Sequence, residues 1–214
     1  MMKKGKLVSI YKENKQLLLF IVLMFTFRSS FADWYDVPTG SMKPTIVEGD
    51  RILVNKMAYR LDLPFTDIAV METGTPQRGD IVVFNSKAAD NRLVKRVIGI
   101  PGDVISMDRN RLIINGERVR YSGAPAAMTE TIGDKRHAMQ LTPPLAERHS
   151  FGPVTVPEGH LLVLGDNRNH SADSRYYGFV PQTELLGKAS RVLISLDPED
   201  YYLPRTERTF TAMR

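Results

Sequence analysis

Arg92-Leu93-Val94-Lys95-Arg96-Val97-Ile98-Gly99-Ile100, closed by Pro101-Gly102-Asp103, is the stretch on which the reading of this chain turns. Its β-branched residues favour extended backbone, and the Pro-Gly pair stops the run. Similar runs lie on either side. Arg51-Ile52-Leu53-Val54 and Asp80-Ile81-Val82-Val83-Phe84 are each opened by a Gly-Asp pair, Gly49-Asp50 and Gly79-Asp80. Arg111-Leu112-Ile113-Ile114 and Arg118-Val119-Arg120 flank Asn115-Gly116, a strong hairpin signal because both central positions of a type I′ turn need φ > 0. His160 to Leu164 and Ala189 to Ile194 complete the set, and no amphipathic helical pattern stands out beyond the N-terminus. The body is therefore predicted to be mainly β.

Lys95 gives the central run its chemical interest. Taken alone it reads as an edge-strand or surface lysine. Buried among Val94, Val97 and Ile98, its pKa would fall, and a neutral lysine can take a proton from a serine hydroxyl. A candidate serine is Ser41, in Pro38-Thr39-Gly40-Ser41-Met42-Lys43-Pro44-Thr45 just beyond an apolar N-terminal segment. Alone, that segment is a turn. A third dense segment runs from Gly165-Asp166-Asn167-Arg168-Asn169-His170-Ser171 through Ala172-Asp173-Ser174-Arg175. By itself it is a tight turn followed by a salt bridge.

Composition bounds the alternatives. The 214 residues suffice for one good core, and the chain contains no cysteine, which removes disulfides, thiolate metal sites and cysteine nucleophiles. The net charge of +5 is concentrated at the start, where Lys3, Lys4, Lys6, Lys12 and Lys15 oppose Glu13. From Arg28 onward, 24 basic residues meet 23 acidic ones. No basic stripe marks a nucleic-acid face.

The N-terminus has two readings. Lysines, the apolar run Leu17 to Phe27 and Ser30-Phe31-Ala32 fit a cleavable signal peptide. Leu17 to Trp34 also supplies 18 residues for an uncleaved anchor, if Arg28 snorkels and Trp34 and Tyr35 sit in the aromatic belt. Both readings hold the N-terminus in the cytoplasm and export the body.

The Ser-Met-x-Pro-Thr, Gly-Asp, Lys-Arg-Val-Ile-Gly-x-Pro-Gly-Asp and Gly-Asp-Asn-Arg-x-x-Ser-x-Asp-Ser-Arg motifs follow one another in the order found in bacterial type I signal peptidases, which the chain resembles from about Tyr35 to Val192. These are membrane-anchored endopeptidases that remove signal peptides from exported preproteins. The resemblance favours the anchor. It implies a signal-peptidase-like β-barrel or sheet catalytic domain behind one N-terminal transmembrane helix. The expected layout is a basic leader over 1–16, an anchor over 17–34, a β-rich catalytic domain over 35–196 and a tail over 197–214. Residues 122–152, rich in Ala, Pro, Thr and His, read as an insertion or extended loop without catalytic signal.

By the same resemblance, Ser41 is the nucleophile and Lys95 the general base. The Ser41 backbone N–H and the Thr39 hydroxyl form the oxyanion hole, Thr39 standing where the family often has serine. Ser171 orients the lysine amine, and Arg96, Asp166, Asp173 and Arg175 supply supporting charged pairs. Pockets for small residues at the first and third positions before the cut would be lined by Val37, Pro38, Met42 and Ile46, with Tyr35, Val83 and Val94 toward the third. The expected partners are preprotein signal peptides and the lipid bilayer, with contact to the secretion machinery left open. Neither metal nor cofactor nor nucleic acid is expected. Two other readings stay in view, a membrane-anchored domain that binds peptides without cutting and a self-cleaving Ser–Lys repressor. The latter lacks a DNA-binding helix pair. Two motifs are set aside: Ser9-Ile10-Tyr11-Lys12 lies in the leader, and the Asn169-His170-Ser171 sequon overlaps the third segment.

Overall fold

The structure is a computed structural model that describes residues 4–66 and 68–213, with side chains from Glu13 onward. Most of the basic leader, Lys3 to Lys12, thus lies outside the described side chains. The frame is an eight-stranded antiparallel sheet. Its order is Ala32–Asp36, Asp50–Asn55, Leu185–Asp197, Ile81–Ser86, Asn91–Gly99, His160–Leu164 and Val180–Pro181, with Leu203–Pro204 pairing onto Leu185–Asp197. The strand predicted around Lys95 lies well inside this sheet, pairing Val82 with Lys95 on one side and Leu164 with Arg96 on the other. Phe84, Val97, Leu161 and Val163 pack one apolar cluster, and Val37, Met42, Ile46, Ile52, Val54 and Val83 another.

The sheet does not close into a barrel. One edge strand is the two-residue Val180–Pro181, whose proline has no N–H to extend a ladder, and register shifts interrupt several pairings. A second sheet, ordered Phe151–Thr155, Val104–Asp108, Arg111–Ile114 and Glu117–Arg118, packs Ile98 and Leu164 of the main sheet against Ile105, Leu112 and Val156. The predicted hairpin turn is present: Asn115 and Gly116 have φ of 52° and 83°, with Ile114 paired to Glu117.

Residues 122–152 are more ordered than their composition implied. Arg120–Ala124, Ala127–Ile132 and Lys135–Met139 form a three-stranded antiparallel sheet, and Phe151 begins a strand of the second sheet. The inward face of Ala127–Ile132 carries Met128, Glu130 and Ile132. A glutamate in the middle of that face hides the period-2 pattern from a search for apolar alternation. The tail beyond Asp197 also folds back. Arg208 Nη2 lies 2.6 Å from Asp50 Oδ2, Arg205 Nη1 donates to Glu48 O at 3.0 Å, and Met213 packs against the core.

The N-terminal helix spans Lys4–Ser30, and the expected anchor boundary at Trp34 is corrected. Ala32–Asp36 is a strand, with Trp34 opposite Leu53 and Tyr35 opposite Ile52. Arg28 does not reach away from the body: its guanidinium bonds Asp33 at 2.5 and 2.9 Å and lies 3.8 Å from the centroid of the Trp34 ring. Lys56 caps the helix end by donating from Nζ to Ser29 O and from its backbone N–H to Phe31 O. With Ala32 paired to Asn55 and Ser30 buried, the bond after Ala32 sits inside folded structure. No helix among the described residues is long and apolar enough to cross a membrane. The 11 apolar-run residues Leu17 to Phe27 extend about 16 Å, roughly half a hydrocarbon core.

Gly116 tests the hairpin. A Cβ there meets nothing within 4 Å, so Gly116→Ala should cost only the positive-φ penalty, about 1–2 kcal/mol in denaturant unfolding. A loss above about 3 kcal/mol would mean that the turn is packed rather than open.

Candidate active site

Ser41 sits on the 3-10 turn Gly40–Met42 that follows Thr39. Lys95 reaches it from the middle of the sheet, with Nζ 2.6 Å from Ser41 Oγ. The lysine is 2 % exposed, so its amine is covered, while the serine residue is only half-buried. Burial lowers the Lys95 pKa to about 8, against the opposing fields of Asp173 and Asp166. A hydroxyl, rather than a carboxylate, is the amine's hydrogen-bond partner. This is the arrangement a neutral base requires.

The neighbouring residue on the strand, Arg96, holds the nucleophile segment. Its Nε and Nη2 bind Asp166 Oδ1 and Oδ2 at 2.8 and 2.7 Å, and Nη1 donates to Gly79 O at 2.8 Å. Asp166 Oδ2 also accepts the Thr45 hydroxyl at 2.5 Å. Thus the strand, the 165–168 turn and the chain just after Ser41 meet at one carboxylate. Burial alone would raise the Asp166 pKa, but the Arg96 guanidinium outweighs it and holds the carboxyl below its ordinary value. Deleting one member of such a buried pair typically costs about 3–5 kcal/mol.

The turn approaches the nucleophile through backbone. Asn167 N donates to Ser41 O and Asn167 Nδ2 to Gly40 O, each at 3.1 Å. Gly165 is required by this approach: a Cβ there would lie 2.3 Å from Ser171 Oγ and 2.4 Å from Ser41 O. Asp173 caps the short helix Ser174–Tyr177, accepts Gly165 N at 3.0 Å and takes two bonds of 2.8 Å from Arg175.

The other residues expected at the site are placed less directly. Ser171 is buried beside Gly165, and among the described residues its hydroxyl has no hydrogen-bond partner. Thr39 is exposed and makes no capping bond from its side chain. Val37, Met42, Ile46, Val83, Tyr35 and Val94 belong to one apolar cluster around the serine turn, while Pro38 is exposed. Met42, Ile46 and Val83 are buried to 1 % exposure or less, so they form its floor. Tyr35 and Val94 are only partly buried, and Arg92 stacks 4.4 Å over the Tyr35 ring.

Residues without an assigned role in the sequence also converge here. Glu130 and His137, from the three-stranded sheet, are buried against the turn; Glu130 Oε2 lies 2.5 Å from Arg168 Nη2 and 3.0 Å from His137 Nε2. A charged residue between Met128 and Ile132 on a strand was the available signal. Among the described residues no cluster of His, Cys, Asp and Glu could hold a metal ion.

Comparison with known proteins shows the family of the chain. The family model described as "Signal peptidase, peptidase S26" matches residues 11–194. Signal peptidase I of Pseudomonas fluorescens is 37 % identical over 229 residues, covering 97 % of this chain and 80 % of that protein. Its counterpart in Pseudomonas aeruginosa is 36 % identical over 232 residues, with the same coverage of 97 % and 80 %. Signal peptidase I P of Bacillus subtilis subsp. natto is 34 % identical over 197 residues, 91 % of this chain and 95 % of that one. A crystal structure of a signal peptidase I from Enterococcus faecalis, 36 % identical, aligns over 53 % of this chain and 96 % of its own, with a TM-score of 0.37. With the family model spanning most of the described body and relatives aligned over 97 % of this chain, it belongs to the signal peptidase family, peptidase S26.

Proposed function

We propose that the protein is a serine endopeptidase that removes N-terminal signal peptides from preproteins through a Ser41–Lys95 dyad. The observation that carries this reading is the 2.6 Å contact between the amine of a buried lysine and the hydroxyl of a half-buried serine. With a pKa of about 8, roughly a tenth of Lys95 is neutral at pH 7, some 300-fold more than at its ordinary value of 10.5. The neutral amine takes the Ser41 proton as Oγ attacks the scissile carbonyl. The resulting ammonium protonates the leaving amine, and the lysine then activates water against the acyl-enzyme. The Ser41 N–H and the Thr39 hydroxyl are assigned to the oxyanion, where a single donor is typically worth about 10²–10³ in rate. Ser171, with a buried hydroxyl not otherwise engaged, is assigned to orienting the amine. The apolar cluster under the serine turn supports a preference for small side chains next to the cut.

Bilayer attachment is part of the same proposal, with the catalytic body on the exported side. Leu17, Leu18, Leu19, Phe20, Val22, Leu23 and Phe25 are exposed along the N-terminal helix. Near its end the hairpin of Arg60–Asp62 and Ala69–Glu72 exposes Leu63, Phe65, Ile68, Val70 and Met71, and Phe65 N donates to Ser29 Oγ at 2.7 Å. Two adjoining apolar surfaces support contact with lipid.

Detergent-solubilised protein should release mature protein from a purified preprotein at a small-x-small site. Ser41→Ala and Lys95→Ala should each lose at least about 10³-fold in kcat/KM. Equal cleavage by all three proteins would remove the dyad. Because the base is lowered and acts when neutral, kcat/KM should rise with pH through about 8 and then level. A profile that climbs toward pH 10.5 would mean an ordinary lysine. The protein should also stay with membranes through an alkaline carbonate wash, and its body should be digested by protease only from the exported face. Release by carbonate would exclude an embedded attachment.

A further inference from the structure

The three-stranded sheet buries two ionisable side chains where the pattern calls for apolar ones. Glu130 is 0 % exposed between Met128 and Ile132, and His137 stands opposite it on the next strand, beside buried Met139. A buried ion pair gives up hydration and is seldom more stabilising than apolar side chains of the same size. What this pair grips is informative. Arg168, itself fully buried, donates from Nη2 to Glu130 Oε2 at 2.5 Å and from Nε to Gly165 O at 3.2 Å. Its carbonyl accepts Arg175 Nη2 at 2.6 Å, and its N–H donates to Gln140 O at 3.2 Å, at the end of the same small sheet. Arg168 therefore ties both ends of the Gly165–Arg168 turn to the small sheet. Between those ends lie Asn167, which binds Ser41 O and Gly40 O, and Asp166, which binds Arg96 and Thr45.

We propose that Glu130 is a positioning residue for the Ser41–Lys95 site: by clamping Arg168 it sets the turn against which the nucleophile's backbone rests. This inference rests on the dyad reading above. Burial would push the Glu130 carboxyl up, yet the Arg168 charge and His137 together hold it far below its ordinary value, so the clamp stays ionic. Other charged or titratable groups face it. Tyr121 lies against the carboxylate from the adjoining strand, and Asp166 Oδ1 lies 4.0 Å from His137 Nε2. Tight contacts make small displacements matter. Gly165 has no room for even a Cβ between Ser171 Oγ and Ser41 O, so a turn that shifts must move the serine turn or Ser171 with it.

The test separates position from stability. Glu130→Gln keeps shape and an acceptor oxygen but removes the charge; Glu130→Met with Arg168→Met replaces the pair by apolar side chains that need no hydration. Cleavage of a preprotein is measured beside wild type and Lys95→Ala, with thermal unfolding of each and assays well below the midpoint. We expect the Met/Met protein to remain folded at the assay temperature, with kcat lowered about 100-fold and KM within about twofold. Glu130→Gln should lose kcat by a smaller factor at unchanged KM. Glu130→Asp, which keeps the charge, should recover more kcat than Glu130→Gln. Wild-type kcat in either folded variant, with Lys95→Ala inactive, overturns the positioning role and leaves the dyad standing. Should Met/Met fail to fold, the Gln and Asp variants decide the matter by their kcat. A wild type that does not cleave, or a Lys95→Ala that does, overturns the dyad and this inference together.

Discussion

Burying the Lys95 amine is the constraint on which the rest of the structure depends. A lysine at 2 % exposure in a sheet of valines and isoleucines loses its hydration, and among the described residues no carboxylate replaces it at hydrogen-bond distance. Asp166 and Asp173 lie near enough to pull its pKa back up, but each is spent on an arginine: Asp166 on Arg96, Asp173 on Arg175. Arg175 in turn opposes the charge that would otherwise hold the lysine protonated. The charged pairs around the dyad thus bear on the neutral state of its lysine as well as on its shape.

The same pairs solve an assembly problem. Ser41 lies on a short turn with little local structure of its own, and such a turn holds a nucleophile only if longer elements fix it. Lys95 and Arg96 come from the central sheet, Asp166 and Asn167 from the turn after His160–Leu164, and Thr45 from the nucleophile segment itself. A carboxylate with two oxygens and several lone pairs is suited to join three segments at one point. Asp166 does so without exposure to water, where each bond is electrostatically stronger than at the surface. The three-stranded sheet adds a fourth support from behind, through Glu130 and Arg168.

Sequence reasoning was strongest where physics is local. The run ending at Pro101-Gly102, the Asn115-Gly116 turn and the exposed apolar helix residues follow from alternation, turn chemistry and continuous hydrophobicity over a few residues. It was weakest where a rule was broken for a purpose. Residues 122–152 read as loop because Glu130 and His137 occupy inward positions of real strands. Trp34 and Tyr35, an aromatic pair after an apolar run, fit a bilayer interface equally well by pattern, but pairing with Asp50–Asn55 makes them part of a strand. Barrel closure depends on whether two edge strands find each other, which no single segment encodes.

The sequence by itself determined the mainly β body, the presence of a lysine that burial would leave neutral enough to act, and a set of ordered motifs specific to one family. Only the tertiary structure decided who meets whom. Ser41 and Lys95 are 54 positions apart, Glu130 and Arg168 are 38, and Thr45 and Asp166 are 121. The reason is the difference in range between the two kinds of information. Extended backbone and turns are set by neighbours within a few residues, whereas strand order and register bring distant residues together through the burial of whole faces. A charged residue on an inward face has no partner until that packing supplies one.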